Sequence, residues 1–166
     1  MKTCLLVLFG ILTLQAQFEE PVVWESKVEQ LAEDRYQLIF EADIAPNWHL
    51  YSQFSDPEGA IPTEFVFDQT DSFKLVGNVT ESESVVDYDQ VFEMDLTYFN
   101  NSAVFQQQIQ VLDDRLTQIK VEINYQACDD ELCIFRTESF ILSLDGLVSA
   151  VELDIDEKSQ ALSAQL

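Results

Sequence analysis

Strict alternation of apolar and polar residues constrains this chain more than any other feature. In one segment, apolar side chains fall at every second position, at Tyr36, Leu38, Phe40, Ala42 and Ile44. A second segment repeats the pattern with Ile119, Val121, Ile123, Tyr125 and Ala127. Because successive side chains of an extended strand point to opposite faces, this spacing predicts two β-strands, each with one buried face.

Shorter runs of similar character predict further strands along the chain. They lie at residues 22–31, 49–52, 64–67, 73–76, 92–99, 104–111 and 138–144. Turn-forming pairs such as Pro46-Asn47 and Asp113-Asp114 separate them. About nine short strands predict an all-β, immunoglobulin-like antiparallel β-sandwich. A small barrel is the alternative, because strand counting alone does not separate open from closed sheets.

The amino-terminal residues 1–17 differ from this pattern. They hold one early lysine, an apolar run from Cys4 to Leu14 and the small residue Ala16, which are features of a secretory signal peptide. The run is too short to span a bilayer as a helix. We therefore expect cleavage after residue 16 or 17 and export of the mature chain, with a retained membrane anchor as the alternative.

The rest of the chain suits one compact domain. About 150 residues remain after the signal, and that length builds a single hydrophobic core. We place the domain at residues 18–146. Residues 147–166 are acidic and lack aromatic side chains, so we interpret them as a flexible tail or linker.

The charge of the chain limits its partners. Its 31 acidic and 8 basic residues give a formal net charge of −23, and no segment gathers lysine or arginine into a patch that neutralises phosphates. We therefore do not expect nucleic acids or anionic membrane surfaces as partners. A basic or neutral docking surface suits such a chain better.

Two cysteines remain once the signal peptide is removed, Cys128 and Cys133. They flank a four-residue loop that follows one predicted strand and precedes another, so they can face each other across a hairpin at disulfide distance. As a staple, the bond contributes only about 2 kcal/mol, since it closes a short loop. As a local bridge, it is accessible to attacking thiolates. The spacing leaves both interpretations open, a redox pair and a structural disulfide.

Other chemistry finds little support. Residues 129–131 are all acidic, which disfavours a thiolate, so a redox pair here needs an activated partner thiol or a shield that opens on docking. The mature chain offers one histidine, His49, which we interpret first as a hydrogen-bonded packing residue. Two cysteines and one histidine do not supply a structural zinc site. We expect neither a metal nor another cofactor.

Three segments together carry a family resemblance: WHLYSQ at residues 48–53, IPTEF at 61–65, and YQAC at 125–128 continuing to Cys133. They resemble the N-terminal periplasmic domain of the DsbD family of membrane thiol:disulfide interchange reductases. The match runs in order over about residues 20–146, and the Tyr-Gln-x-Cys approach to the first cysteine is its most specific part.

The resemblance implies a function and a location. It implies a periplasmic immunoglobulin-like domain that acts as a thiol:disulfide oxidoreductase and needs an external electron donor. The donor is a membrane-linked thioredoxin-like domain. The acceptors are thioredoxin-fold proteins such as disulfide isomerases and cytochrome c maturation factors. We expect a monomer. A secreted binding module with a purely structural disulfide remains the alternative.

The resemblance also assigns residues. Cys128 and Cys133 match the redox pair, and Cys133 is expected to form the mixed disulfide with the partner. Tyr51 matches an aromatic residue beside the pair, with His49 among the surrounding residues. Asp89 matches an acid that precedes the aromatic lid of a shielding loop, and Phe92 is the expected lid, with Val91 at the other position where an aromatic residue could stand.

Two departures from the family pattern stand out. Four residues separate the cysteines where the family form has five, which can alter the potential of the bond. The sequence also has no apolar run long enough for the membrane part of the family. We therefore expect either a separate module reduced by another protein or a fragment of a larger reductase.

Overall fold

The computed structural model describes residues 20–68 and 70–144. The predicted signal peptide at 1–17 and tail at 147–166 therefore lie outside the described residues. The described chain forms ten strands in sequence order: β1 (Val22–Ala32), β2 (Arg35–Ile44), β3 (His49–Tyr51), β4 (Glu64–Phe67), β5 (Phe73–Glu81), β6 (Val85–Asp89), β7 (Met94–Asn100), β8 (Ser102–Val111), β9 (Gln118–Cys128) and β10 (Cys133–Ser143).

The strands form two antiparallel sheets. One has the order β1-β2-β8-β5, and the other has the order β10-β9-β3-β7-β6, with β4 paired to β9 as well. The predicted immunoglobulin-like antiparallel β-sandwich is confirmed. Within residues 20–68 and 70–144, we find no helix that is long and apolar enough to cross a membrane.

Side chains of both sheets meet in one core. The alternating residues of β2 and β9 fill it, and Leu38, Phe40, Val121 and Ile123 are among its buried members. Aromatic rings join the two layers: Phe105 of β8 contacts Phe65 of β4 and Phe99 of β7, with ring centroids 5.1 and 5.4 Å apart. Packing of two half-apolar sheets in this way is what the period-two pattern requires.

The sequence pattern missed one strand and misplaced the bounds of several others. Strand β5 runs to Glu81 rather than to residue 76, and strand β10 begins at Cys133 rather than at residue 138. Strand β6 is almost fully exposed at the edge of its sheet, so it carries no alternation of buried and exposed residues. Strand β7 begins at Met94 rather than at Phe92. The backbone N–H groups of Val91 and Phe92 instead donate to the Asp89 carboxylate, which makes a turn of these residues.

The two faces of β9 serve different purposes. Odd-numbered side chains from Ile119 to Ala127 enter the core between the sheets. Gln126 and Cys128 occupy the opposite, outer face because they are offset by one residue. Cys128 there belongs to a second, smaller cluster with Tyr51, Ala60 and Leu96. The fold thus places the cysteine pair outside the main core but beneath a cover of its own.

Candidate active site at the cysteine hairpin

Cys128 and Cys133 end one strand and begin the next. They are direct partners in the β9–β10 ladder, and they form a disulfide with a Cα–Cα distance of 4.1 Å, slightly below the usual range of about 4.4 to 6.8 Å. Cys128 has no exposed surface, whereas Cys133 is partly exposed. The two sulfur-bearing residues therefore differ in access to solvent, which spacing alone did not indicate.

The loop between the cysteines is held by its first residue. The Asp129 carboxylate accepts hydrogen bonds from the backbone N–H groups of Glu131 and Leu132, at 2.8 and 2.6 Å. These backbone N–H groups lower the pKa of Asp129. A fixed negative charge therefore stands beside Cys128, as the sequence analysis expected of this loop.

Aromatic side chains surround the pair. Tyr51 is buried in the same cluster as Cys128, and Phe92 and Tyr98 pack against it together with Cys133. The rings of Tyr51 and Phe92 meet edge to face, with centroids 6.0 Å apart. Phe92 lies in residues 90–93, which join β6 to β7 and which we call the cap. Val91 of the cap is 49% exposed, whereas Phe92 is partly buried against the cysteine cluster.

A buried polar network ties the cap to β3. The Tyr51 hydroxyl donates to Oδ2 of Asp89 over 2.6 Å. Nε2 of His49 lies 3.0 Å from the Tyr51 oxygen and 3.4 Å from the same carboxylate oxygen. Because the single hydroxyl proton of Tyr51 goes to Asp89, the Tyr51 oxygen accepts from the Nε2–H of His49. His49 is thus part of a hydrogen-bonded chain beside the disulfide, as well as a packing residue.

The network sets the charge states of its members. Burial, and then the hydrogen bond to Asp89, raise the pKa of Tyr51. Burial by itself raises the pKa of Asp89, but hydrogen bonds from Tyr51 and from the backbone N–H groups of Phe92 and Val91 outweigh it and lower the pKa. The pair therefore consists of a neutral phenol and a carboxylate at neutral pH.

The long β3–β4 connection, residues 52–63, closes the other side of the site. Thr63 donates from its hydroxyl to the Tyr51 carbonyl over 2.6 Å, and Ala60 is fully buried in the cysteine cluster. Gly59 approaches β7 so closely that a Cβ atom there would stand 2.8 Å from the sulfur of Met94. The site is thus covered from two directions, by the cap and by this connection.

The structure brings the residues selected from the sequence into one place. Cys128, Cys133, Tyr51 and Phe92 share a cluster, while Asp89 and His49 bond to Tyr51. Sequence reasoning overlooked Tyr98 and Leu96, and it quoted Gln126 only as part of a motif without assigning it a role. Their signal was present, because Met94, Leu96 and Tyr98 alternate along β7, and Gln126 precedes Cys128 by two positions and so shares its face.

Across residues 20–68 and 70–144, no group of three or more His, Cys, Asp or Glu side chains is arranged to hold a metal ion. The arrangement that remains is a disulfide with one buried and one accessible cysteine, an aromatic cover and a charged polar network. Such a site can exchange its disulfide with a thiolate that reaches Cys133.

Comparison with known proteins gives a family. The family described as "Thiol:disulfide interchange protein DsbD, N-terminal" matches residues 17–145. A search of curated proteins finds no match. The N-terminal periplasmic domain of ScsB from Proteus mirabilis has the same fold, with a TM-score of 0.63 and 15% identity over 89% of this chain. This chain covers 56% of that ScsB domain.

Two further solved structures come from Neisseria meningitidis. One is the reduced DsbD N-terminal domain, with a TM-score of 0.46, 19% identity, and coverage of 73% of this chain and 86% of that one. The other is the complex between the DsbD and PilB N-terminal domains, with a TM-score of 0.43, 15% identity, and coverage of 74% and 83%.

Proposed function

This chain belongs to the family of N-terminal domains of the thiol:disulfide interchange protein DsbD, and from that membership we propose that it passes electrons to partner proteins through Cys128 and Cys133. The family makes it a thiol-disulfide exchange domain. The electron-passing role, its direction and the roles of single residues are the proposal.

The exchange follows two displacements. In the reduced domain, the Cys133 thiolate attacks a partner disulfide, forms a mixed disulfide and releases one partner thiolate. The Cys128 thiolate then attacks the Cys133 sulfur and releases the second partner thiolate. Two electrons reach the partner, and the domain is left with its Cys128–Cys133 disulfide. An external thiol donor must reduce that bond before the next cycle.

The unequal burial of the two cysteines carries this assignment. An incoming sulfur needs an open line of approach, and Cys133 is partly exposed while Cys128 has no exposed surface. Attack on a disulfide depends on which sulfur can be reached. This supports Cys133 as the residue that bonds to the partner and Cys128 as the one that resolves the mixed disulfide.

The cap gives the exchange its selectivity. Phe92 packs over Tyr51 beside the disulfide, and the Asp89 carboxylate holds the turn that carries it. We propose that docking displaces the cap and uncovers Cys133. Because Asp129 keeps negative charge beside the pair, the partner supplies the activated thiolate when the domain is oxidised.

Membership of the family also supports a proposal for the partners and the location. We propose that the acceptors are thioredoxin-fold proteins of the disulfide isomerase or cytochrome c maturation type. The donor is a membrane-linked thioredoxin-like domain. Residues 18–146 act in the periplasm after residues 1–17 direct export. We propose that the domain acts as a monomer.

Trapping the mixed disulfide tests the proposal. The variant Cys128→Ala keeps the partner-bonding Cys133 but lacks the resolving thiol. Incubated with a purified, oxidised thioredoxin-fold disulfide isomerase, it should accumulate a one-to-one covalent adduct that dithiothreitol cleaves. Non-reducing electrophoresis and mass spectrometry measure the adduct.

The reciprocal variant provides the control. Cys133→Ala retains only the buried Cys128, so it should form at least about tenfold less adduct because its sulfur is inaccessible. Equal trapping by both variants would overturn the assigned roles. No adduct with either variant would contradict electron transfer to this class of partner.

A further inference from the structure

The side chain of Gln126 lies against the buried sulfur of the redox pair. It occupies the outer face of β9, two residues before Cys128, and only 8% of it is exposed. Its Nε2 lies 3.6 Å from Sγ of Cys128. The glutamine therefore touches a reacting atom.

The orientation of this amide is fixed by the chain opposite. The backbone N–H of Ile61 donates to Oε1 of Gln126 over 2.7 Å. A backbone N–H only donates, so the oxygen of the amide must face Ile61 and the NH₂ group must face the sulfur. The β3–β4 connection thus aims a hydrogen-bond donor at Cys128.

A donor in this position acts mainly when the sulfur carries charge. A disulfide sulfur is a weak acceptor, whereas a thiolate accepts a charge-assisted hydrogen bond of roughly twice the strength of a neutral one. Burial in apolar surroundings, as at Cys128, otherwise disfavours the thiolate. The NH₂ group of Gln126 offsets that cost.

We propose that Gln126 stabilises the thiolate of Cys128, both when that thiolate leaves and when it attacks. This rests on the proposed function of the pair. When a donor thiolate attacks Cys133, a donor–Cys133 disulfide forms, the Cys128–Cys133 bond breaks, and the electron pair of that bond passes to Cys128 as a thiolate. In the reverse step, the same thiolate attacks Cys133 and displaces the partner sulfur as a thiolate. Gln126 holds the charge on Cys128 in both directions.

Other titratable groups surround Cys128 and must be held constant in a test. His49 and Tyr51 lie on β3, Asp89 ends β6, Tyr98 lies on β7, and Asp129 follows Cys128 in the hairpin. Substitutions at Gln126 leave all of them in place. A change in the ionisation of Cys128 between these variants therefore reports on the amide.

Ionisation of a single thiol provides the measurement. In a Cys133→Ala background, Cys128 is the one thiol of the mature domain, and its thiolate absorbance is followed against pH. Gln126→Leu removes the donor, and we expect the apparent pKa of Cys128 to rise by about one unit, a tenfold lower thiolate fraction. Gln126→Glu keeps an oxygen for Ile61 but replaces the donor with a carboxylate, so we expect a larger rise.

A second buried glutamine is the matched control. Gln107 is 1% exposed and donates to the backbone carbonyls of Val76, Gly77 and Gln108 in the other sheet. Gln107→Leu should lower the melting temperature but leave the pKa of Cys128 unchanged. If Gln126→Leu does not fold, Gln126→Met decides, because it removes the donor without adding a charge and keeps the length of the side chain.

The outcomes separate this inference from the proposed function. An unchanged pKa of Cys128 in the Gln126 variants, with Cys128→Ala still trapping a partner, would overturn the role of Gln126 alone. A raised pKa without any trapped partner would support the role of Gln126 and contradict the proposed electron transfer.

Discussion

At the scale of single residues, the Asp89 carboxylate holds the cap in place. It accepts hydrogen bonds from the Tyr51 hydroxyl and from the backbone N–H groups of Val91 and Phe92, and it is only 5% exposed. Hydrogen bonds to a charged acceptor are stronger than those to a neutral one. The hydrogen bonds of the folded cap therefore favour the ionised form of Asp89.

Removing this charge should destabilise the domain at neutral pH but not in acid. Because the folded pKa of Asp89 is lowered, its contribution is present above the unfolded pKa of about 3.9 and is lost as the pH falls through the folded pKa. We expect Asp89→Asn to lower the free energy of unfolding by about 1 to 3 kcal/mol at pH 7. Urea unfolding from pH 7 down to pH 3 should show the difference from wild type shrinking below about pH 4.

A neighbouring carboxylate serves as the control for this measurement. Asp87 lies on the same strand but is exposed, so Asp87→Asn should change stability by less than about 0.5 kcal/mol. A difference for Asp89→Asn that stays constant down to pH 3 would contradict the role assigned to its charge.

Residues of the site differ in how far the sequence reveals them. The cysteines and their hairpin follow from the spacing and the strand pattern. Tyr51, Asp89 and Phe92 were reached only through the family resemblance, because their hydrogen bonds and contacts join strands that are distant in sequence. Gln126 was quoted as part of a motif, but its role depends on Ile61, which lies 65 residues away and could not be paired with it from sequence.

At the scale of secondary structure, the hairpin β6–β7 combines an exposed edge with a buried tip. Val85, Val86 and Tyr88 of β6 are exposed, while Phe92 packs beside the disulfide. Glu93 closes the cap with a φ of 56°, a left-handed conformation that costs a residue with a Cβ roughly 1 to 2 kcal/mol. Such a turn is held by its contacts rather than by its own backbone preference.

Removing the ring of Phe92 should speed the attack of small thiols on the Cys128–Cys133 disulfide. Phe92→Ala removes the ring that packs on Tyr51. A loss of about 1.4 kcal/mol of apolar burial raises the ratio of open to closed cap conformations about tenfold. We expect the disulfide to be reduced about tenfold faster by a small thiol such as dithiothreitol. The rate is measured under excess thiol at constant pH.

The adjacent cap residue gives the comparison. Val91 is half exposed, so Val91→Ala should change the rate of reduction by less than about twofold. Equal rates of reduction for Phe92→Ala and wild type would show that Phe92 does not limit access to the disulfide.

Strands were predicted best where one face is buried. The pattern located β2 and β9 closely because their alternate residues fill the core. It missed β6, whose residues are exposed on both faces except Asp89. It also extended β7 into the cap, because apolar Phe92 continues the strand-like composition while its backbone is engaged by Asp89.

At the scale of the whole molecule, the surface around the cysteine site is acidic. Asp89 lies near Asp129 and Asp130 of the cysteine loop, around one pocket that His49 and Tyr98 also line. An acidic reactive end favours partners with neutral or basic surfaces around their own thiols.

We expect the sandwich to fold without the disulfide. Its core joins both sheets through buried aromatic and aliphatic side chains, and the bond links neighbouring strands that are already paired. The fold class was predictable because alternation and turn residues recur along the chain. The redox role was not, because a hairpin bridge has the same spacing whether it is a staple or an electron carrier.

The reduction potential of the Cys128–Cys133 bond tests the electron-carrier role most directly. It is measured by equilibrating the domain with a thioredoxin-type protein of known potential and separating the oxidised and reduced forms. We predict a potential above about −270 mV, so that a thioredoxin-type donor near −270 mV reduces the bond. A potential below about −300 mV, with a bond that resists such donors, would contradict the account and leave a structural disulfide.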